Sequence, residues 1–385
     1  MRLKSSNLKR APSWSRRRQG IALILVMLVI MVLAVMASSF ASNMSVEAAL
    51  ARNASNDRRL EWLCRSGVEL ARYMVGQQFA EQREPYDGLN QRWAGGPGTL
   101  EDCVLNAVDL KKSALEEGSP LWFLQNGDED WDGYLDAASL NVKIVDLESR
   151  MNINWVAQDY HSRDAIKYVM ENFLMIENTV QDTILDSLMD WVDLDDDPKI
   201  NGMESREYEP FGYSAKNGLI DDMSELLLIN GIRDEREWLI TGDFPEDLDE
   251  DLRPKMLIPD LFTVVSRGKI NVNTAPMVTL QMIDTSLDEI VTERILQARQ
   301  GEDATEGTEY DQPFQQIGEL AEVGMDGNAV SSLSRFLDVR SLTFEVTVSA
   351  VVEDQAKTLV AVVRRENGRE EEIKVLYSYW KDTGR

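Results

Sequence analysis

The chain has 385 residues, 43% of them hydrophobic, with 67 acidic against 40 basic residues and a formal net charge of −27. That length is enough for more than one hydrophobic core, and so acidic a chain repels phosphate polyanions and attracts divalent cations or basic partners, which argues against nucleic acid. Cys64 and Cys103 are the only cysteines; a disulfide scaffold and a multi-cysteine zinc site are excluded, leaving one bridge or two unpaired thiols.

The chain opens with Arg2, Lys4, Lys9, Arg10, Arg16, Arg17 and Arg18 and no acid among them, so that loss of residues 1–20 takes the net charge to −34. Every residue from Ile21 to Ala37 is apolar, the stretch runs on through Ser38, Ser39, Phe40 and Ala41, and the next charge is Glu47. About 20 such residues span a bilayer. The basic flank orients the N-terminus to the cytoplasm and sends the rest across the membrane. Three processing routes fit: a signal peptide cut after the apolar core, for which Val35-Met36-Ala37 offers small residues; an uncleaved anchor; and a leader cut before the core.

Gly20 stands at the polar-to-apolar junction, between Arg16-Arg17-Arg18-Gln19 and Ile21-Ala22-Leu23-Ile24-Leu25. In this the segment resembles the type IV pilins and the type II secretion pseudopilins. The resemblance implies cleavage between Gly20 and Ile21 by the prepilin peptidase, with methylation. The apolar helix then stays in the inner membrane as a single span, with the C-terminal domain in the periplasm. Most of that family carry a Glu at the fifth position after the cut, where this chain has Leu25. A carboxylate there lies in hydrocarbon unless a subunit ahead supplies its partner. The departure is the one expected of the K-type minor pseudopilin (general secretion pathway protein K), which the family places at the fibre tip.

Past the membrane, Val46, Ala49, Leu50, Leu60, Leu63, Val68, Leu70 and Ala71 continue a helical pattern with charges between them. The anchor therefore runs on as an amphipathic stalk whose apolar stripe needs a sheet to cover it. Strand patterns appear at residues 99–110, 139–147, 342–351, 359–365 and 372–379, the last three as a meander. Between them the period becomes helical, at residues 164–174, 180–192, 223–230, 274–283, 287–299, 314–323 and 329–336. A helical region thus interrupts a strand domain. This arrangement again resembles the K-type minor pseudopilins, through Lys143-Ile144-Val145-Asp146 with Asn152-Ile153-Asn154, Asp190-Trp191-Val192-Asp193-Leu194-Asp195, Ser224-Glu225-Leu226, Ile270-Asn271-Val272-Asn273-Thr274-Ala275-Pro276 and Pro313-Phe314.

The expected fold is α+β: a pilin-like long N-terminal transmembrane helix packed on a split antiparallel sheet, with a large inserted all-α domain. The expected domains are a leader (1–20), a transmembrane and stalk helix (21–75), the first part of the strand domain (76–149), the inserted α-domain with a helix-hairpin-helix-like unit (150–336), and closing strands (337–385).

Asp190, Asp193, Asp195, Asp196 and Asp197, then Pro198, Asn201-Gly202, Glu204 and Glu207, form the strongest site candidate. Oxygen ligands at alternate positions in a turn suit Ca²⁺, which takes six to eight oxygens in flexible geometry. The spacing is not that of an EF-hand, and a bare acidic run at a helix C-terminus also reads as a solvated loop. The family resemblance implies calcium in this domain, with Asp193, Asp195, Asp197 and Glu204 as the ligands.

In Ile270–Pro276 a Thr cap and a first-turn Pro precede an apolar helix, and Gly301 closes the next one, which looks like a helix-hairpin-helix module. DNA-binding versions donate backbone amides to phosphate beside basic residues. Here Asp284, Asp288, Glu289, Glu293, Glu302 and Asp303 surround it, so it reads as a packing unit; a membrane-tethered nucleic-acid receptor is the alternative function. His161 is the only histidine, and no Gly-rich phosphate loop or Gly-x-Ser-x-Gly elbow occurs, which leaves a carboxylate-only hydrolase as the enzymatic alternative. Trp122, Trp131, Trp155, Trp191 and Trp238 are assigned to cores ahead of interfaces.

The resemblance implies a structural, non-enzymatic subunit at the tip of the type II secretion pseudopilus, supporting assembly and export across the outer membrane. Its implied partners are the I- and J-type minor pseudopilins, the major pseudopilin, and exported cargo or the outer-membrane secretin, with no nucleic acid.

Overall fold

The computed structural model describes residues 17–81, 83–97, 110–112, 121–125, 138–157, 163–233, 236–245, 250, 253–353, 355–366 and 373–381. The chain divides into two compact units, residues 1–59 and 60–385. In the first, helix α1 (Arg17–Ala80) begins and runs through the apolar segment. It is the one helix among the described residues long and apolar enough to cross a membrane. From Leu23 to Met36 its large side chains are all exposed, so no contact within the chain accounts for their apolarity. In lipid each is worth about 1.5–3 kcal/mol relative to water.

The second unit holds two cores. Leu60, Cys64, Val68, Ala71 and Val75 of α1 are buried at spacings of three and four, which puts them on one helical face. They pack on a six-stranded sheet of order β1-β2-β3-β8-β9-β10. Its first three strands are β1 (Leu110–Lys112), β2 (Leu121–Gln125) and β3 (Ala138–Asp146). After the insertion come β8 (Thr343–Val352), β9 (Gln355–Arg365) and β10 (Ile373–Lys381). All five pairings are antiparallel.

Alternate residues face the helix: Leu140, Val142 and Ile144 of β3, Phe344, Val346, Val348 and Ala350 of β8, and Leu359, Ala361 and Val363 of β9. Gly67 lets the helix approach β8, because a Cβ there would lie 2.5 Å from Val348 Cγ1. Cys64 is a buried free thiol; Cys103, Trp131, His161 and most of the strand expected at 99–110 lie outside the described residues.

β3 and β8 are neighbours in the sheet, with Asp146 opposite Phe344, so the chain between them forms an insertion with its own core. It contains β4 (Met151–Asn152), α2 (Ile153–Val156), α3 (Arg163–Asn172), α4 (Asn178–Val192), α5 (Ser205–Tyr208), α6 (Trp238–Thr241) and α7 (Ile258–Leu261). There follow β5 (Phe262–Thr263), β6 (Ile270–Asn271), α8 (Met277–Gln281), α9 (Glu289–Gln300), α10 (Gly327–Leu333) and β7 (Leu337–Asp338). The α+β fold with a helical insertion in a split antiparallel sheet is therefore as the sequence implies.

Four details differ. The insertion is not purely helical, since β4 pairs with β5 and β6 with β7, both parallel. The helices expected at 223–230 and 314–323 are 3₁₀ turns over Met223–Leu228 and Ile317–Ala321. In the first, Glu225 turns its carboxylate back onto the amides of Asp221 and Asp222, and Gly231, at φ +89°, turns the chain beyond it. Finally, Thr274 does not cap α8. The residue before that helix is Pro276, and the Thr274 hydroxyl is spent on Asp146, as described below.

Candidate functional site

Helix α4 turns Ile184, Leu185, Leu188, Trp191 and Val192 into the core, and the same helix places Asp182, Asp186 and Asp190 four residues apart. Carboxylates toward a helix C-terminus oppose its dipole, so they need donors. Arg163 Nη2 lies 2.6 Å from Asp182 Oδ1 and 2.7 Å from Asp186 Oδ1. The chain leaves α4 at Asp193 and loops back over the acids. Asn201 donates to Asp186 Oδ2 from its backbone N (3.2 Å) and Nδ2 (3.0 Å). The Lys199 amide donates to Asp190 Oδ1 at 3.2 Å and Oδ2 at 3.1 Å. Only glycine fits at 202, where a Cβ would stand 1.8 Å from Asp190 Oδ2.

The loop then delivers Glu204. Asp190, Asp193 and Glu204 each place one carboxylate oxygen within 4.8 Å of the others. Asp190 is 0% and Glu204 1% exposed. Both oxygens of Glu204, and Asp193 Oδ1, lack a hydrogen-bond donor. Burial, then the charges of Asp190, Asp193 and Asp196, pushes Glu204 up to about 7. Burial likewise raises Asp190 against its bonds from Lys199. The Lys199 ammonium lies 2.6 Å from Asp193 Oδ2 and 3.3 Å from Asp190 Oδ1. Burial alone would depress it, but the hydrogen bonds to Asp193 and Asp190 outweigh that and raise it.

Three hard-oxygen carboxylates, two of them buried, with orphaned oxygens, fit a divalent cation of the Ca²⁺ type. Of the residues expected as ligands, the structure brings together Asp193 and Glu204, with Asp190 as the third member. Asp195 and Asp197 are exposed on the same loop, where Asp195 Oδ1 accepts the Asp197 amide at 3.0 Å. Asp190 and Asp193, three residues apart at a helix end, converge by helical geometry, whereas the expectation of alternate ligands assumed a loop.

A second polar cluster lies where the insertion meets the sheet. Asp146, at the end of β3, accepts at Oδ2 from Ser341 Oγ (2.5 Å), Thr274 Oγ1 (2.5 Å) and Asn271 Nδ2 (3.2 Å). Asp87 pairs with Arg365 Nη1 at 2.7 Å and accepts the Ser341 amide at 2.9 Å. Arg365 also donates to the carbonyls of Ser341 (3.0 Å) and Val75 (2.8 Å). Glu148 accepts the Leu342 amide at 3.0 Å. Burial outweighs the hydroxyl donors and pushes Asp146 up to about 6; burial plus the charge of Asp146 pushes Glu148 up to about 8.

In the hairpin-like unit, the buried Arg299 spends its guanidinium on the carbonyls of Val272 (2.6 Å) and Ala275 (2.8 Å) and on Glu306. It is a structural tie rather than a phosphate ligand. Gly20 and Ile21 lie within α1.

These features define a pilin-like protein: a long apolar N-terminal helix continuing onto an antiparallel sheet that a helical insertion splits. Residues 149–236, which include the acidic loop, match the family model for protein K of the type II secretion system (T2SS). Residues 149–236 thus carry a type II secretion protein K domain, and the resemblance to K-type minor pseudopilins is borne out. The fold is shared with a chain in the crystal structure of the GspK-GspI-GspJ complex from the enterotoxigenic Escherichia coli type 2 secretion system. The similarity covers 86% of this chain and 99% of that one at a TM-score of 0.58 and 16% identity. No curated protein sequence matches.

Proposed function

We propose that the chain is a structural, non-catalytic minor pseudopilin at the tip of the type II secretion pseudopilus, where it supports assembly and export across the outer membrane. The observation that carries this is the apolar helix whose continuation packs on a split sheet bearing a large insertion. Pilin-like subunits join by lateral packing of such helices, and Leu25 in place of a carboxylate suits a subunit with none ahead of it. The insertion is too bulky for another subunit to follow.

In this reading residues 1–20 are a leader removed by the prepilin peptidase between Gly20 and Ile21, and residues 21–75 anchor and stalk the protein. Residues 76–149 and 337–385 build the strand domain, and 150–336 the inserted domain. The anchor sits in the inner membrane with the folded part in the periplasm. The partners are I- and J-type minor pseudopilins and the major pseudopilin, as the composition of the GspK-GspI-GspJ complex suggests, with cargo or secretin as further contacts.

A structural Ca²⁺ is held by Asp190, Asp193 and Glu204. Calcium titration of the Asp190→Asn and Glu204→Gln chains is expected to show lost binding; smaller losses are expected for Asp195→Asn and Asp197→Asn. Co-expression with I- and J-type pseudopilins is expected to yield a complex, and mass spectrometry a mature chain beginning at Ile21. Failure to co-purify with either partner, or a chain beginning near Ser38, overturns the reading.

A further inference from the structure

We propose that Lys199 is an internal counter-cation that occupies the carboxylate cluster in the metal-free chain and must leave for a divalent cation to enter, so that this one side chain sets the affinity of the site. The inference rests on the calcium reading above and concerns how that site is controlled.

Asp190, Asp193 and Glu204 converge on one point, and three carboxylates so close cannot stay charged without a cation. The chain supplies one. Lys199 Nζ bridges Asp193 Oδ2 at 2.6 Å and Asp190 Oδ1 at 3.3 Å. It does not serve Glu204, whose two oxygens remain without donors although the residue is 1% exposed. The ammonium therefore balances part of the cluster and leaves on Glu204 an acceptor open to a further cation.

The lysine is also built to depart. Its backbone is held independently of its side chain, because its amide donates to both oxygens of Asp190. The neighbouring Asn201 amide is fixed on Asp186. The side chain itself is 27% exposed, so its flexible stem can carry the ammonium into water while the loop stays in place. Exchange of one positive charge for two at unchanged loop geometry lets the domain fold without metal, at the cost of a weaker site. The apparent affinity is reduced by the fraction of molecules in which Lys199 is inside.

The test uses the full chain in detergent micelles with Ca²⁺ as the probe. Calorimetric titration of Lys199→Met is expected to show binding at least about tenfold tighter than the unaltered chain, and Lys199→Arg, which keeps the charge, no tighter. On the unaltered chain, amine acylation read by peptide mass spectrometry is expected to spare Lys199 without calcium and to label it at saturating calcium. This second measurement decides the matter alone should Lys199→Met fail to fold. Equal or weaker binding by a folded Lys199→Met, or a Lys199 still protected at saturating calcium, overturns the counter-cation role and leaves the calcium site standing. Absence of calcium binding in every chain overturns the site itself, and this inference with it.

Discussion

Glu148 makes the stability of the joint between sheet and insertion depend on pH. It is fully buried, with one oxygen on the Leu342 amide, the other without a donor, and the nearest cation, Arg267, 4.0 Å away. Burial first, and the charge of Asp146 second, carry it from 4.5 to about 8. Between those values the folded chain keeps a proton that the unfolded chain has released. The group's contribution is thus complete below about 4.5 and is lost as pH rises to about 8. Each pH unit inside the window is worth about 1.4 kcal/mol, so a rise from about pH 6 to pH 8 should cost roughly 2–3 kcal/mol. Asp146, raised to about 6, acts in the same direction over a window that closes at lower pH. Urea unfolding of the full chain in detergent at several pH values, beside Glu148→Gln, isolates the term because the variant keeps the shape without the titration. The unaltered chain should lose about 2–3 kcal/mol more than the variant over that range. Parallel loss in the two chains would mean that Glu148 retains no proton and that the burial argument is wrong.

Three further outcomes follow from contacts already described. Arg365→Met leaves Asp87 charged and unpaired in the interior and should cost about 3–5 kcal/mol; adding Asp87→Asn should restore part of it, read by denaturant midpoints. Gly67→Val places branched carbons against Val348 and should destabilise the sheet–helix core by about 1–3 kcal/mol, seen as a lower Tm with calcium affinity unchanged. Gly202→Ala pushes Asp190 out of the acidic cluster and should weaken calcium binding by at least about tenfold, with helix content by circular dichroism unaltered.

The long apolar helix was legible because an unbroken apolar run is a matter of composition, and the strands were legible because Phe344, Val346, Val348 and Ala350 alternate cleanly against α1. The acidic loop was legible as a cluster but not as a site. Its third member, Asp190, is tied to Asp193 by helix geometry and to Glu204 by a loop whose closure depends on Gly202, neither of which alternation in sequence reveals. Thr274 misled because a Thr ahead of an apolar helix carries a capping signal, and a tertiary carboxylate, Asp146, competed for its hydroxyl. The Asp87–Arg365 pair left no local trace at all, since its partners are 278 residues apart.

That pair and its neighbours explain what the family-like motifs are for. Asp146 comes from the Lys143–Asp146 motif, and Asn271 and Thr274 come from the Ile270–Pro276 motif; all three are buried. They meet Ser341, Asp87 and Arg365 at the two places where the chain leaves the sheet and returns to it: the end of β3 and the start of β8. An apolar joint of the same size would bury surface equally well but would let the insertion slide, because dispersion is nearly indifferent to direction. Hydrogen bonds from Ser341 Oγ, Thr274 Oγ1 and Asn271 Nδ2 onto one carboxylate oxygen of Asp146 allow little but one arrangement, and unmaking any of them leaves a buried acceptor unsatisfied. Both connections of the insertion are thereby tied into a single network. The polar motifs thus lock the insertion in one orientation on the sheet.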